Sequence, residues 1–197
     1  MFKNKCFIVL FVASFFCGCA SKENYFIEDI NFDNYHAIVI DASRLIVEQK
    51  YSNNISYPFI DHLVKQDLIS LVNSWSIARL NTESLNNSGN LKVIINEASV
   101  KALPINGNDK IEDLFISNAA INIEMNLDIT IDLYNEKSDR ISYVNIKVFK
   151  SQELGSNISL LEKDYRIQEM SRSIMVDFDS LTINKLKEVF ENKILAN

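Results

Sequence analysis

Cys19 is the residue whose setting most clearly specifies chemistry. It follows Gly18 and a ten-residue apolar run, Phe7 to Phe16, broken only by Ser14 and preceded by Lys3 and Lys5. A charged start, a short apolar stretch and a small residue before the cut are the parts of a secretory signal. A bilayer-spanning helix needs about 20 apolar residues, so the run is an address rather than an anchor. Cleavage ahead of a diacylglycerol-bearing cysteine makes Cys19 the new amino terminus. Two acyl chains plus an N-acyl group then hold the protein on a membrane, where one chain is marginal. The alternatives are an ordinary secreted protein cut nearby or an apolar N-terminus buried in the fold. Ala20 and Ser21 follow the cysteine in place of the Asp that retains such proteins at the inner membrane. The inner leaflet of the outer membrane, with the domain in the periplasm, is the expected location.

Other residue sets offer less. His36 and His62 have no cysteine partners and no HExxH spacing, so no metal site is expected. Asp61-His62 and a distant serine make a triad only on paper, because no G-x-S-x-G elbow is present. Gly89, Gly107 and Gly155 are too dispersed for a phosphate-cradling loop. Glu124, Asp128 and Asp132 fall four residues apart in an alternating stretch. At ~3.4 Å per residue, neighbours in that row are about 13 Å apart, too far to share a proton or a metal. They read as a solvated face, or else the row Asn122, Glu124, Asn126, Asp128 and Thr130 is a polar surface docked on a partner. Arg140, Lys147 and Lys150 are the basic residues of the same region, fitted either to balance charge or to contact lipid phosphate. No catalytic residue, enzymatic activity or cofactor is expected.

Composition narrows the class further. Removing residues 1–18 leaves 179 residues, a single-domain length, and takes the 20 basic groups to 18 against 26 acidic, a formal charge of −8. An acidic chain lacks the basic stripes that nucleic acid requires, so that partner class drops out. Cys6 and Cys17 leave with the signal and Cys19 becomes a thioether, so the domain must be held by packing alone.

The elements follow from periodicity. Lys22 to Tyr35 is a polar tether, and Ala37 to Val47 reads as one buried strand. From Pro58, the spacing of Ile60, Leu63, Val64, Leu68, Leu71, Val72 and Trp75 predicts an amphipathic helix of about five turns. Leu91 to Leu103 is a strand ended by Pro104, and residues 105–118 form a long loop with a helical turn near 111–115. Ile121 to Leu133 alternates strictly, every odd residue apolar, which is a strand with one wet face. After a polar turn from Tyr134 to Arg140, Val144, Ile146 and Val148 resume the alternation. If Tyr134 faces Ile141, Ile131 pairs with Val144, Ile129 with Ile146 and Leu127 with Val148, and Asp128 meets Lys147 on the wet face. Ser159-Leu160-Leu161-Glu162 has capping-box spacing. Behind it, Ile167, Met170, Ile174, Phe178, Leu181, Leu186 and Val189 outline a helix to about residue 192. The expected architecture is an α+β two-layer sandwich: a four-stranded, mostly antiparallel sheet with two helices on one face, in the order β-α-β-β-β-α. The expected organisation is a signal over 1–18, a lipidated N-terminus and tether over 19–36, and one domain over 37–193.

The run from Ala119 to Met170 resembles the lipopolysaccharide-assembly lipoprotein family (LptE type). It has the alternating strand, the polar turn, a strand ending Lys147-Val148-Phe149-Lys150, and a polar loop before a long helix. The resemblance implies a helper seated in an outer-membrane β-barrel translocon, touching lipopolysaccharide through basic side chains on that strand, Lys147 first. A weaker likeness, to auxiliary lipoproteins of ABC-type lipid transporters, implies an inner-membrane permease and its lipid-binding subunit as partners. A third alternative is an envelope lipoprotein family with no assigned role, and a periplasmic hydrolase is the least favoured.

Overall fold

The computed structural model describes residues 25–85, 89–105 and 120–195. Cys19, the signal and the helical turn expected near 111–115 lie outside the described residues. The elements are β1 (Ile38–Ile40), β2 (Arg44–Gln49), α1 (Leu68–Arg79), β3 (Leu80–Thr82), β4 (Asn90–Pro104), β5 (Ile121–Tyr134), β6 (Arg140–Leu154), α2 (Leu160–Val189) and β7 (Ile194–Leu195).

The architecture is the α+β sandwich, with a second small sheet that the sequence reading lacked. The main sheet runs β2-β4-β5-β6, and the small one β3-β1-β7. Both are mixed: β2 is parallel to β4 and β1 to β3, whereas β4, β5 and β6 form an antiparallel meander. The odd residues of β5 from Ile121 to Leu133 are all buried, as the alternation requires. The hairpin register places Ile131 opposite Val144, Ile129 opposite Ile146 and Asp128 opposite Lys147. It slips by one at the turn, where Tyr134 faces Arg140 rather than Ile141. The slip coincides with the Asn135–Asp139 turn, whose Asn135 and Asp139 side chains cross-bond and whose Ser138 has φ 65°. A second irregularity lies between Ile95 and Glu97 in β4.

Two expectations are corrected. The run from Ala37 to Val47 is two strands in different sheets, because Asp41-Ala42-Ser43 turns the chain from one to the other. Asp41 is buried there with its carboxylate on Lys193 Nζ (3.1 Å) and the Leu85 amide (3.2 Å), and Ser43 N donates to Gly89 O. The first helix begins at Leu68, capped by Asp67 Oδ1 accepting from Ser70 N (2.9 Å), and not at Pro58. Residues 58–60 are instead held along the second half of β4: Ile60 N donates to Val100 O and Ala102 N to Pro58 O. The buried Asp61 carboxylate also accepts the Val100 amide at 2.6 Å. An extended segment that satisfies β4's free edge cannot also be helix, and Leu63 is consequently exposed.

The second helix keeps half of its expected cap: Ser159 Oγ accepts from Glu162 N (3.1 Å), and the Glu162 carboxylate turns forward to Arg166 (3.4 Å). It ends at Val189 and leaves Leu181 and Val189 exposed. α1 packs on β2 and β4, and α2 on β5 and β6, so both helices cover one face of the main sheet. They are clamped together by Trp75, whose ring meets Phe178 edge-on and whose Nε1 donates to Asp179 Oδ1 (2.8 Å). Arg79 Nε donates to the same oxygen at 2.7 Å. No helix among the described residues is long and apolar enough to cross a membrane.

Candidate functional site

Among the described residues, no helix covers the other face of the main sheet. Side chains alternate along a strand, so this face carries the even residues of β5 and the odd residues of β6 from Ile141 to Glu153. At its centre Asp128 gathers donors from both neighbouring strands: Lys147 Nζ at 2.7 Å, Asn145 Nδ2 at 2.7 Å and Asn96 Nδ2 at 3.3 Å. The two asparagine amides also donate to Thr130 Oγ1. Partial burial pushes the Asp128 carboxyl up. The hydrogen bonds from Lys147, Asn145 and Asn96, with the charge of Lys147, outweigh that and hold it below its ordinary range. The same contact raises Lys147.

Toward the hairpin turn the face carries a second group. Asp132 is buried, accepts from the Tyr134 hydroxyl (3.2 Å), and has Oδ1 3.5 Å from Arg140 NH1. Arg140 lies over the Tyr143 ring, and Lys92 over Tyr134 while its Nζ contacts Glu48 at 3.0 Å. That contact lowers Glu48 and raises Lys92. Beside these closed charge pairs β6 leaves Ile141, Tyr143 and Phe149 at 50%, 55% and 57% exposure. The arrangement is an ordered polar sheet surface with an apolar margin along an edge strand.

The three basic residues singled out from sequence do not form one site. Lys147 and Arg140 lie on the open face, each against a carboxylate. Lys150 has the opposite parity, reaches the helix side and pairs with Asp177 of α2 at 2.8 Å. Glu124, Asp128 and Asp132 remain separate, as their spacing along the strand requires. Asn96, Asn145 and Tyr143 are not among the residues singled out from sequence. The hairpin register already put Asn145, Lys147 and Phe149 on one face, whereas Asn96 comes into reach through the irregularity in β4.

The remaining candidates have structural surroundings. Asp61 is occupied by Tyr51 Oη (2.6 Å) and the amides of Asn54 and Val100, and burial together with that carboxylate raises Tyr51. His62 is exposed, with no hydrogen bond among the described residues, so no Asp61–His62 dyad forms. His36 is also exposed. No group of three or more metal-ligating side chains occurs among the described residues.

No family model and no curated protein matches this sequence. Among solved structures, a minor lipoprotein from Acinetobacter baumannii is similar over 78% of this chain and 96% of its own, with 10% identity and a TM-score of 0.37. A score of that size lies below a shared fold.

Proposed function

We propose that this chain is an outer-membrane lipoprotein, acylated at Cys19, whose periplasmic domain is a non-enzymatic helper in the assembly or transport of envelope lipid. The signal-and-cysteine arrangement supports the anchor, and the likeness of the hairpin and long helix to lipopolysaccharide-assembly lipoproteins supports the pathway class. The observation that carries the docking role is the open face: at its centre and toward the turn Asp128 and Asp132 already have Lys147 and Arg140 beside them, so a partner need not desolvate those ions alone, while Ile141, Tyr143 and Phe149 remain to be covered. The favoured partner is an outer-membrane β-barrel protein. Lipopolysaccharide or phospholipid would reach this surface through Lys147 and Arg140, with Lys150 excluded from the same contact by its pairing on the helix side.

A photo-crosslinking side chain at Phe149, compared with one at Val176 on α2, tests this reading. Capture of a single β-barrel protein from Phe149 alone, with co-purification in mild detergent, is the expected result. Recovery of the lipoprotein by itself from both positions refutes the helper reading. Crosslinks to an inner-membrane permease or its lipid-binding subunit favour the transporter-auxiliary alternative.

A further inference from the structure

The segment expected to be a tether is irregular, but it is fastened to the domain. The Tyr25 ring packs on Tyr165 of α2 at 5.2 Å between centroids. Glu28 O accepts from Gln168 Nε2 and Arg172 NH2, both at 3.4 Å. Lys65 holds Ile27 O (2.9 Å) and Asp29 (2.8 Å), Gln66 bonds both backbone groups of Ile30, and Ile30 and Phe32 are buried. Only six residue steps separate Cys19 from Tyr25, a length of chain that can span no more than roughly 20 Å.

Two adjoining grooves of about 640 and 590 Å³ flank Tyr165 and share Arg166 and Glu169. One lies against Tyr25 and Phe26, the other against Lys150, Ser151 and Gln152 of β6. Phe26 is 75% exposed, and Leu161, one helical turn before Tyr165, is also exposed. The basic groups here are locally balanced: Arg166 contacts Glu162 at 3.4 Å and Arg172 contacts Glu169 at 3.2 Å. Phe26, Leu161 and the Tyr165 ring thus form a small apolar and aromatic patch in a polar surround that includes Glu28, and rings flanked by polar groups suit the interfacial layer of a bilayer.

We infer that the amino-terminal end of α2, with Phe26, Leu161 and Tyr165, rests on the lipid surface that holds the acyl chains, and that the domain is therefore docked rather than swinging on a leash. This inference rests on acylation at Cys19. α2 runs back along β6, from Tyr165 beside Gln152 to Lys185 on Asn145 O. Its 30 residues are about 45 Å long, so the hairpin turn lies at the far end of the domain from the anchor.

The test uses full-length, cell-processed protein in phosphatidylethanolamine–phosphatidylglycerol vesicles, with or without bromine-labelled acyl chains as quencher. The single native tryptophan, Trp75, is buried and supplies the common background. The Phe26→Trp variant is expected to show at least about three-fold more bromolipid quenching than the parent, and Lys137→Trp, in the exposed hairpin turn, none beyond it. Acylated, vesicle-bound protein in which Phe26→Trp is quenched no more than Lys137→Trp overturns the docked arrangement and leaves the anchor standing. Mass spectrometry showing no acyl group at Cys19, with no flotation alongside vesicles, overturns both.

Discussion

Asp179 is the residue on which the two helices depend. It accepts from both the buried Trp75 indole and Arg79, and its loss strands two donors in a mostly buried site. Asp179→Ala is expected to lower stability by about 2–4 kcal/mol, read from the urea midpoint at constant m-value. Asp128 is a milder case on the open face. Asp128→Asn keeps an oxygen for Asn96 and Asn145 and removes the charge pair with Lys147, at a cost of about 0.2–1 kcal/mol near neutral pH. Because folding lowers the Asp128 pKa from its ordinary 3.8, its contribution is present above that value and fades as pH falls through the folded-state pKa. The gap between parent and variant in urea midpoint should therefore close below about pH 4; a gap that widens there contradicts the assigned pairing.

At the scale of elements, the β5–β6 hairpin shows how much pattern alone can fix. A period of two in both strands allows only registers that keep every apolar residue inward, and the expected Asp128–Lys147 contact is present. The turn was less legible, because its geometry depends on Asn135 and Asp139 bonding each other and on a backbone neighbour from another strand. Gly89 is that neighbour: a Cβ there would overlap the carbonyl oxygens of Tyr134 and Asn135. Both are backbone atoms that cannot swing aside, so Gly89→Ala is expected to cost about 1–3 kcal/mol, measurable as a fall in melting temperature with the fold retained by circular dichroism. The first helix failed to start at Pro58 for a comparable reason. Its apolar spacing is compatible with helix, but the second half of β4 offers hydrogen-bonding groups that residues 58–60 satisfy.

For the whole molecule, the folded unit begins earlier than composition suggests. A domain starting at residue 37, the boundary expected from sequence, lacks the buried Ile30 and Phe32 and the Gln66–Ile30 hydrogen bonds. It is expected to be about 3–6 kcal/mol less stable than one starting at residue 25, at about 1.5–3 kcal/mol per buried side chain. Equal urea midpoints for the two truncations would show that the segment contributes nothing. The same fastening sets Tyr25 against the start of α2, at the opposite end of the open sheet face from the hairpin turn.

By itself the sequence determined the α+β class, the hairpin register and the Ser159 cap. Each depends on residues close in the chain or on a strict local period. Tertiary structure alone decided that Lys150 turns away from Lys147, that Asp41 divides one apolar run between two sheets, and that the tether is fastened to α2. Those outcomes depend on partners distant in sequence: Asp177, Lys193 and Tyr165 supply the charge, hydrogen bond or ring that no local pattern encodes.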